Sequence, residues 1–206
     1  MLTLYYARGT CALASHIGLE EAGAAYDAVR LDFSQGDQRK PEYLAVNPKA
    51  RVPALVTDRG VLTETPAILV YIAQSFPAAK LAPIDDPFAL AQAQAFNSYL
   101  CSTVHVAHAH RPRGSRWADD PAALEAMKRK VPQNMTECFE LIERTMFVGP
   151  WVMGETYSIC DPYLFTVAGW LEADGVDMAR LPKTLAHRAQ MMARPAVAKV
   201  VSAQAA

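Results

Sequence analysis

Leu2-Thr3-Leu4-Tyr5-Tyr6-Ala7-Arg8-Gly9-Thr10-Cys11 decides how this chain begins. Leu2 to Tyr6 reads as a β-strand that breaks at Gly9. Cys11 then opens a helix running to Gly23, with apolar Leu13, Ile17 and Ala22 at helical spacing. A thiol at a helix start lies among free backbone N–H groups and at the positive end of the helix dipole. Such a setting lowers a cysteine pKa and makes the sulfur a nucleophile or a strong hydrogen-bond acceptor. Cys11 is therefore expected to alkylate faster than Cys101, Cys138 and Cys160. A lone cysteine also serves as a small core residue, so the reading of Cys11 depends on its company further along.

Strand and helix patterns alternate through the first part of the chain. Ala28 to Asp32 is a second short strand, and Pro41 to Ala45 a helical turn. Val52 to Thr57 is a third strand, Asp58-Arg59-Gly60 a hairpin turn, and Val61 to Thr63 a fourth strand. Thr65 to Phe76 is a helix with Pro66 in its first turn. The order is βαβ, then ββα. Pro77 to Pro87 carries three prolines and reads as a linker. Everything beyond it reads as helix: Phe88 to His108, Pro121 to Met146 with a kink or break at Pro132, Asp161 to Ala173, Thr184 to Ala193 and Pro195 to Ala203. The predicted architecture is an α/β domain over residues 1–77, followed by an all-helical domain over 88–206.

Composition excludes several classes. Hydrophobic content is 51% and charged content 20%, enough apolar material for a packed core. Net charge is −1, which gives no general attraction to nucleic acid or anionic membrane. The one basic stretch, Arg111-Pro112-Arg113-Gly114-Ser115-Arg116, reads as a solvated loop without stacking aromatics. Pro66 to Ala73, the longest apolar run, is too short to span a bilayer, and the start lacks the pattern of a signal peptide. The four cysteines form no C-x-x-C, which argues against a zinc ribbon, a dithiol centre or a disulfide framework. A cytosolic protein with reduced thiols is expected.

Three features bear on the thiol. Val52-Pro53 opens a strand, where proline cannot donate to the ladder. It is either a trans proline at an edge or a cis peptide whose backbone groups meet an extended peptide ligand. Glu64-Thr65-Pro66 puts a hydroxyl at a helix N-cap with a carboxylate beside it; this is either ordinary capping or a pair that holds an amino acid by both charges. His105 shares a helix face with Ala95, Tyr99, Ser102 and His108. His105, His108 and His110 do not share one face and have no nearby carboxylate, so no metal is expected there.

The order Tyr-Tyr-x-x-Gly-x-Cys, then Asn47-Pro48 with Val52-Pro53, then Thr63-Glu64-x-Pro66-Ala67-Ile68 resembles the cytosolic glutathione transferases. Among them it is most similar to the bacterial beta class, and the resemblance runs along nearly the whole chain. Ser158-Ile159-Cys160-Asp161 looks like the family's S/T-x-x-D capping box, in which Ser158 caps the buried helix and Asp161 returns the bond.

The resemblance implies a thioredoxin-like first domain that binds glutathione and a helical domain that forms the second-substrate pocket. It implies a cytoplasmic homodimer that conjugates reduced glutathione to small hydrophobic electrophiles in detoxification, with glutathione as co-substrate and no other cofactor. Carried over by position, Cys11 lies at the glutathione sulfur, and Val52 pairs with the cysteinyl backbone beside a cis Pro53. Glu64 and Thr65 hold the γ-glutamyl end. His105 faces the sulfur across the cleft and joins Cys11 as a catalytic candidate. Ser102 and Thr103 reach glutathione from the helical side, Tyr6 lies near the site, and Gln35 stands in for a lysine that relatives carry after the second strand. Lys49 and Arg51 are candidates for the glycine carboxylate. Two further readings stay open: a glutathione-dependent thiol–disulfide reductase working by a monothiol route through Cys11, and a non-catalytic binding module on the same fold.

Overall fold

A computed structural model describes residues 1–205. The first part builds β1 (Leu2–Tyr6), α1 (Ala12–Glu21), β2 (Tyr26–Arg30), α2 (Pro41–Val46), β3 (Ala54–Thr57), β4 (Gly60–Thr63) and α3 (Thr65–Ser75). The four strands form one sheet in the order β2-β1-β3-β4. β1 and β2 run parallel with Leu4 opposite Ala28, and β3 lies antiparallel to both β1 and β4. The βαβ-ββα order read from the sequence is the observed one.

Three strands differ from their expected bounds: β4 takes in Gly60 of the expected turn, and β2 and β3 shift for physical reasons. β2 starts at Tyr26 rather than Ala28, because Leu2 of β1 pairs opposite Tyr26. It is an outer strand, exposed from Asp27 to Arg30, so it carries little hydrophobic patterning to bound it. β3 starts at Ala54 rather than Val52, after a cis Val52–Pro53 bond; Pro53 has no N–H to give the ladder.

The helical part contains α4 (Pro87–Tyr99), α5 (His105–Ala109), α6 (Pro121–Leu141), α7 (Cys160–Ala168), α8 (Pro182–Met192) and α9 (Pro195–Ala205). The expected long helix from Phe88 to His108 is divided by a π-turn at Leu100–Val104. Another π-turn, Ile142–Met146, ends α6. α6 continues unbroken through Pro132, where a kink or break was expected. Buried Val131, Met135 and Phe139 hold that face to the core and offset the one lost backbone bond. α7 stops at Ala168 rather than Ala173 and is buried along almost its whole length.

α1 joins the two parts by packing against α3, α7 and α9. Gly18 permits the close approach to α3: a Cβ there would meet Leu69 Cδ2 at 3.1 Å. Arg194 clamps Glu21 with bonds of 2.6 and 2.7 Å while its guanidinium lies 3.9 Å from the Tyr157 ring centroid. Under α1, His16 is buried against Tyr6 and Tyr26, and its Nδ1 meets Gln204 Nε2 at 3.0 Å.

The expected capping box forms in part: Asp161 returns its bond, but the N-cap position is Ile159 rather than Ser158. Asp161 accepts from the Ser158 N–H at 2.7 Å, and Ser158 Oγ accepts from the Cys160 N–H at 3.2 Å. Asp161 also accepts from the Val152 N–H at 2.9 Å and meets His187 Nε2 at 3.1 Å. Among the described residues, no helix is long and apolar enough to cross a membrane.

Candidate active site

A cleft of about 620 Å³ opens between the α/β part and the helices. Gly9, Thr10, Cys11, Phe33, Arg51, Val52, Pro53, Glu64 and Thr65 line it from one side. Cys101, His105, His108, Arg113, Arg116, Trp117, Tyr163 and Trp170 line it from the other. The β1–α1 turn, the β3 entry and the α3 start all deliver their residues to this one place.

Cys11 is the residue just before α1, and its side chain makes no cap bond to the helix N–H groups. Its thiol is only 9% exposed and donates to the Val52 carbonyl at 3.6 Å. Burial pushes the thiol pKa up, and the Thr65 hydroxyl and the Arg113 charge oppose this less strongly. Burial thus acts against the low-pKa thiol expected from its place at a helix start, and favours the protonated form of Cys11. Half-buried Cys101 and Cys138 are expected to react with iodoacetamide before Cys11, with every rate rising toward alkaline pH. Peptide mass spectrometry of a time course at pH 7 reads this directly. Fastest labelling at Cys11 would contradict the burial argument.

The α3 start is unusual. Glu64, not Thr65, occupies the N-cap, with φ at +72°. A non-glycine residue there costs about 1–3 kcal/mol, a strain that collects at ligand sites. The Glu64 carboxylate pairs with Lys49 Nζ at 2.6 Å, and the same ammonium donates to Thr63 Oγ1 at 2.8 Å. Thr65 is the first helical residue; its Oγ1 is buried and has no hydrogen-bond partner among the described residues. A buried hydroxyl beside the free N–H groups of a helix start is a ready carboxylate site.

His105 begins α5 directly after the π-turn. Its Nε2 accepts from the Arg113 guanidinium at 2.9 Å, which leaves the ring proton on Nδ1. Burial first, and then the Arg113 charge, push its pKa down to about 3. His16 is pushed down to about 4, mainly by burial. Both rings are neutral when folded and bind a proton near pH 6.5 when unfolded. Below that pH the unfolded chain binds more protons, so stability falls as pH drops from about 6.5 toward 4. Urea unfolding should show a lower midpoint at pH 5 than at pH 7 with an unchanged slope. A midpoint that rises toward pH 5 would contradict the two neutral histidines.

The structure brings together Cys11, Val52, Pro53, Glu64, Thr65 and His105. Arg51 lines the same cleft, but Tyr6, Gln35, Ser102 and Thr103 do not. Tyr6 is buried and tilted onto His16, 5.1 Å between centroids. Gln35 ends the one-turn helix Phe33–Gln35, and Phe33 faces the cleft instead. Ser102 and Thr103 line a different surface groove, with Tyr99, His110 and Cys138. Helical spacing accounts for this: Tyr99, Ser102, Thr103 and His110 form one face, while Cys101, His105 and His108 form the face turned to the cleft.

Arg113 and Arg116 correct the solvated-loop reading of residues 111–116. Both line the cleft, and the aromatic neighbour that reading denied is Trp117, stacked on His110 at 4.4 Å. His108 is committed elsewhere: its Nδ1 meets buried Asp174 at 2.7 Å, and its ring stacks on Trp170 at 4.3 Å. No local pattern marks Arg113, Tyr163 or Trp170, because the chain returns to the cleft from far along the sequence.

A thiol at a strand-to-helix turn, a cis proline before the next strand and the start of α3 meet in this one cleft. The profile of the glutathione S-transferase N-terminal domain matches residues 1–74. The chain is 32% identical to "Glutathione S-transferase GstA" of Escherichia coli O157:H7, over 98% of each chain. A glutathione transferase homologue from Sulfitobacter, solved with bound glutathione, is 48% identical over 98% of each chain with a TM-score of 0.95. The beta-class enzyme of Sphingomonas chungbukensis is 33% identical over 98% of each chain, at a TM-score of 0.85. The chain belongs to the glutathione S-transferase family.

Proposed function

We infer that this protein is a glutathione transferase that conjugates reduced glutathione to small electrophiles. The observation that carries this is the meeting of Cys11, Val52 with cis Pro53, Glu64 and Thr65 in one cleft of a chain from this family. Residues 1–77 hold the peptide and residues 88–206 supply the pocket for the second substrate.

In this reading glutathione lies extended along Val52, whose backbone groups pair with the cysteinyl residue. Its γ-glutamyl carboxylate takes the Thr65 hydroxyl and the free N–H groups of α3. Its ammonium meets Glu64. The buried, protonated Cys11 is a donor to the glutathione sulfur rather than a competing nucleophile. The α1 N-terminus and the Arg113 charge favour the thiolate; each pKa unit gained is about 1.4 kcal/mol. The thiolate then attacks an electrophilic carbon held between the helices, and neutral His105 accepts or donates a hydrogen bond beside it.

The single cleft thiol contributed by the first part favours conjugation over dithiol chemistry. Side-by-side rates with 1-chloro-2,4-dinitrobenzene and hydroxyethyl disulfide test this. Conjugation is expected to dominate, and disulfide reduction alone would favour the reductase reading. The protein acts as a cytoplasmic homodimer in this account. Sedimentation at micromolar concentration should give about twice the chain mass; a monomer would count against it.

A further inference from the structure

We propose that the preferred second substrate is an anionic aromatic electrophile, its negative group held by Arg113 and Arg116 at the helical wall of the cleft. This rests on the glutathione reading above and narrows it. Three arginines, Arg51, Arg113 and Arg116, line one cleft, and none pairs with a carboxylate among the described residues. Glu64 is the carboxylate among the described lining residues, and Lys49 already neutralises it. Arg113 donates to a neutral imidazole, and its Nε is buried without a partner. The three charges feel one another: burial, then Arg113 and Arg51, depress the Arg116 pKa. Arg113 is part-buried while Arg51 and Arg116 are exposed; like charges gathered in one cleft without a counter-ion favour an anion among them.

Glutathione does not use up this charge. Its γ-glutamyl carboxylate goes to Thr65 and the α3 start, and its glycine carboxylate to the loop that carries Lys49 and Arg51. Arg113 and Arg116 remain, on the opposite wall. Trp117 flanks them at the cleft mouth, 48% exposed, and Trp170 lies deeper against His105. Flat aromatic walls beside a guanidinium pair suit a ring bearing a carboxylate or sulfonate.

A matched pair of substrates tests this: neutral 1-chloro-2,4-dinitrobenzene and anionic 4-chloro-3,5-dinitrobenzoate. In both, the glutathione sulfur forms a bond to the ring carbon, chloride leaves with the C–Cl electron pair, and the thiol proton passes to solvent. Each kcat/KM is divided by the uncatalysed rate constant. The wild-type ratio of anionic to neutral substrate should exceed about tenfold, as expected for one hydrogen bond to a charged group. It should fall as salt is raised. Arg116→Gln should lower the ratio about tenfold and Arg116→Lys should restore part of it; Arg116 is exposed and makes no bond on which the fold depends. A wild-type ratio near one, or a ratio that Arg116→Gln leaves unchanged, overturns the proposal. Calorimetric titration of the same wild-type sample with glutathione separates the two readings. Binding without an anion preference overturns this proposal alone, and absence of binding overturns both.

Discussion

Asp161→Ala is expected to lower the stability of the folded chain by about 3–5 kcal/mol, the range for removing one member of a buried polar pair. Asp161 is fully buried at the start of α7 and serves four donors. Its loss strands the Val152 and Ser158 N–H groups and the His187 ring in a dry interior, and each unsatisfied group costs about 1–3 kcal/mol. For a chain of this size 1 kcal/mol moves the melting temperature by about 2–4 °C, so a fall of about 6–20 °C should appear by scanning calorimetry. Ser158→Ala removes only the bond to the Cys160 N–H, worth about 1 kcal/mol, and should melt close to wild type. A shift below about 2 °C for Asp161→Ala would show that the carboxylate network does not hold α7.

Thr65→Ala is expected to raise the glutathione KM about tenfold to a hundredfold and leave kcat nearly unchanged. The Thr65 hydroxyl is buried and unpartnered among the described residues, so it is available to the γ-glutamyl carboxylate. One hydrogen bond to a charged group is worth about 1.5–3 kcal/mol, which sets that range. The γ-glutamyl end is remote from the reacting sulfur, so its binding is the same in ground and transition states and appears in KM. Thr65 is the first residue of α3 rather than its cap, so the helix should lose little stability, and a melting curve checks this. His105→Ala should show the reverse pattern, a lower kcat. An unchanged KM in folded Thr65→Ala would remove Thr65 from the glutathione site.

The fold was legible where hydrophobic period and turn chemistry agree. β1 and the Asp58-Arg59 turn are short-range features and fall where the sequence puts them, whereas the α3 cap sits one residue earlier, at Glu64. The capping box of Ser158 and Asp161 is local too. What failed was long-range or energetic. The π-turn at Leu100–Val104 leaves no mark in a 3.6-residue pattern, and Ser102 and Thr103, placed at the site by resemblance alone, line a separate groove. The protonation of Cys11 depends on how deeply the cleft buries it, and a helix-start argument sees only the dipole. Arg113 and Arg116 resemble any polar loop until the fold turns them into the cleft. Six of the ten candidate site residues, Cys11, Val52, Pro53, Glu64, Thr65 and His105, line the cleft. The remaining four needed loop positions and a helix register that local patterns do not determine.

The central claim is that this cleft binds glutathione, and calorimetric titration of the wild-type protein with reduced glutathione at pH 7 tests it most directly. The account expects saturable binding of one glutathione per chain, weakened about tenfold to a hundredfold in Thr65→Ala. A titration without binding heat by a folded wild-type protein at millimolar glutathione, or equal affinity in the two proteins, would contradict it.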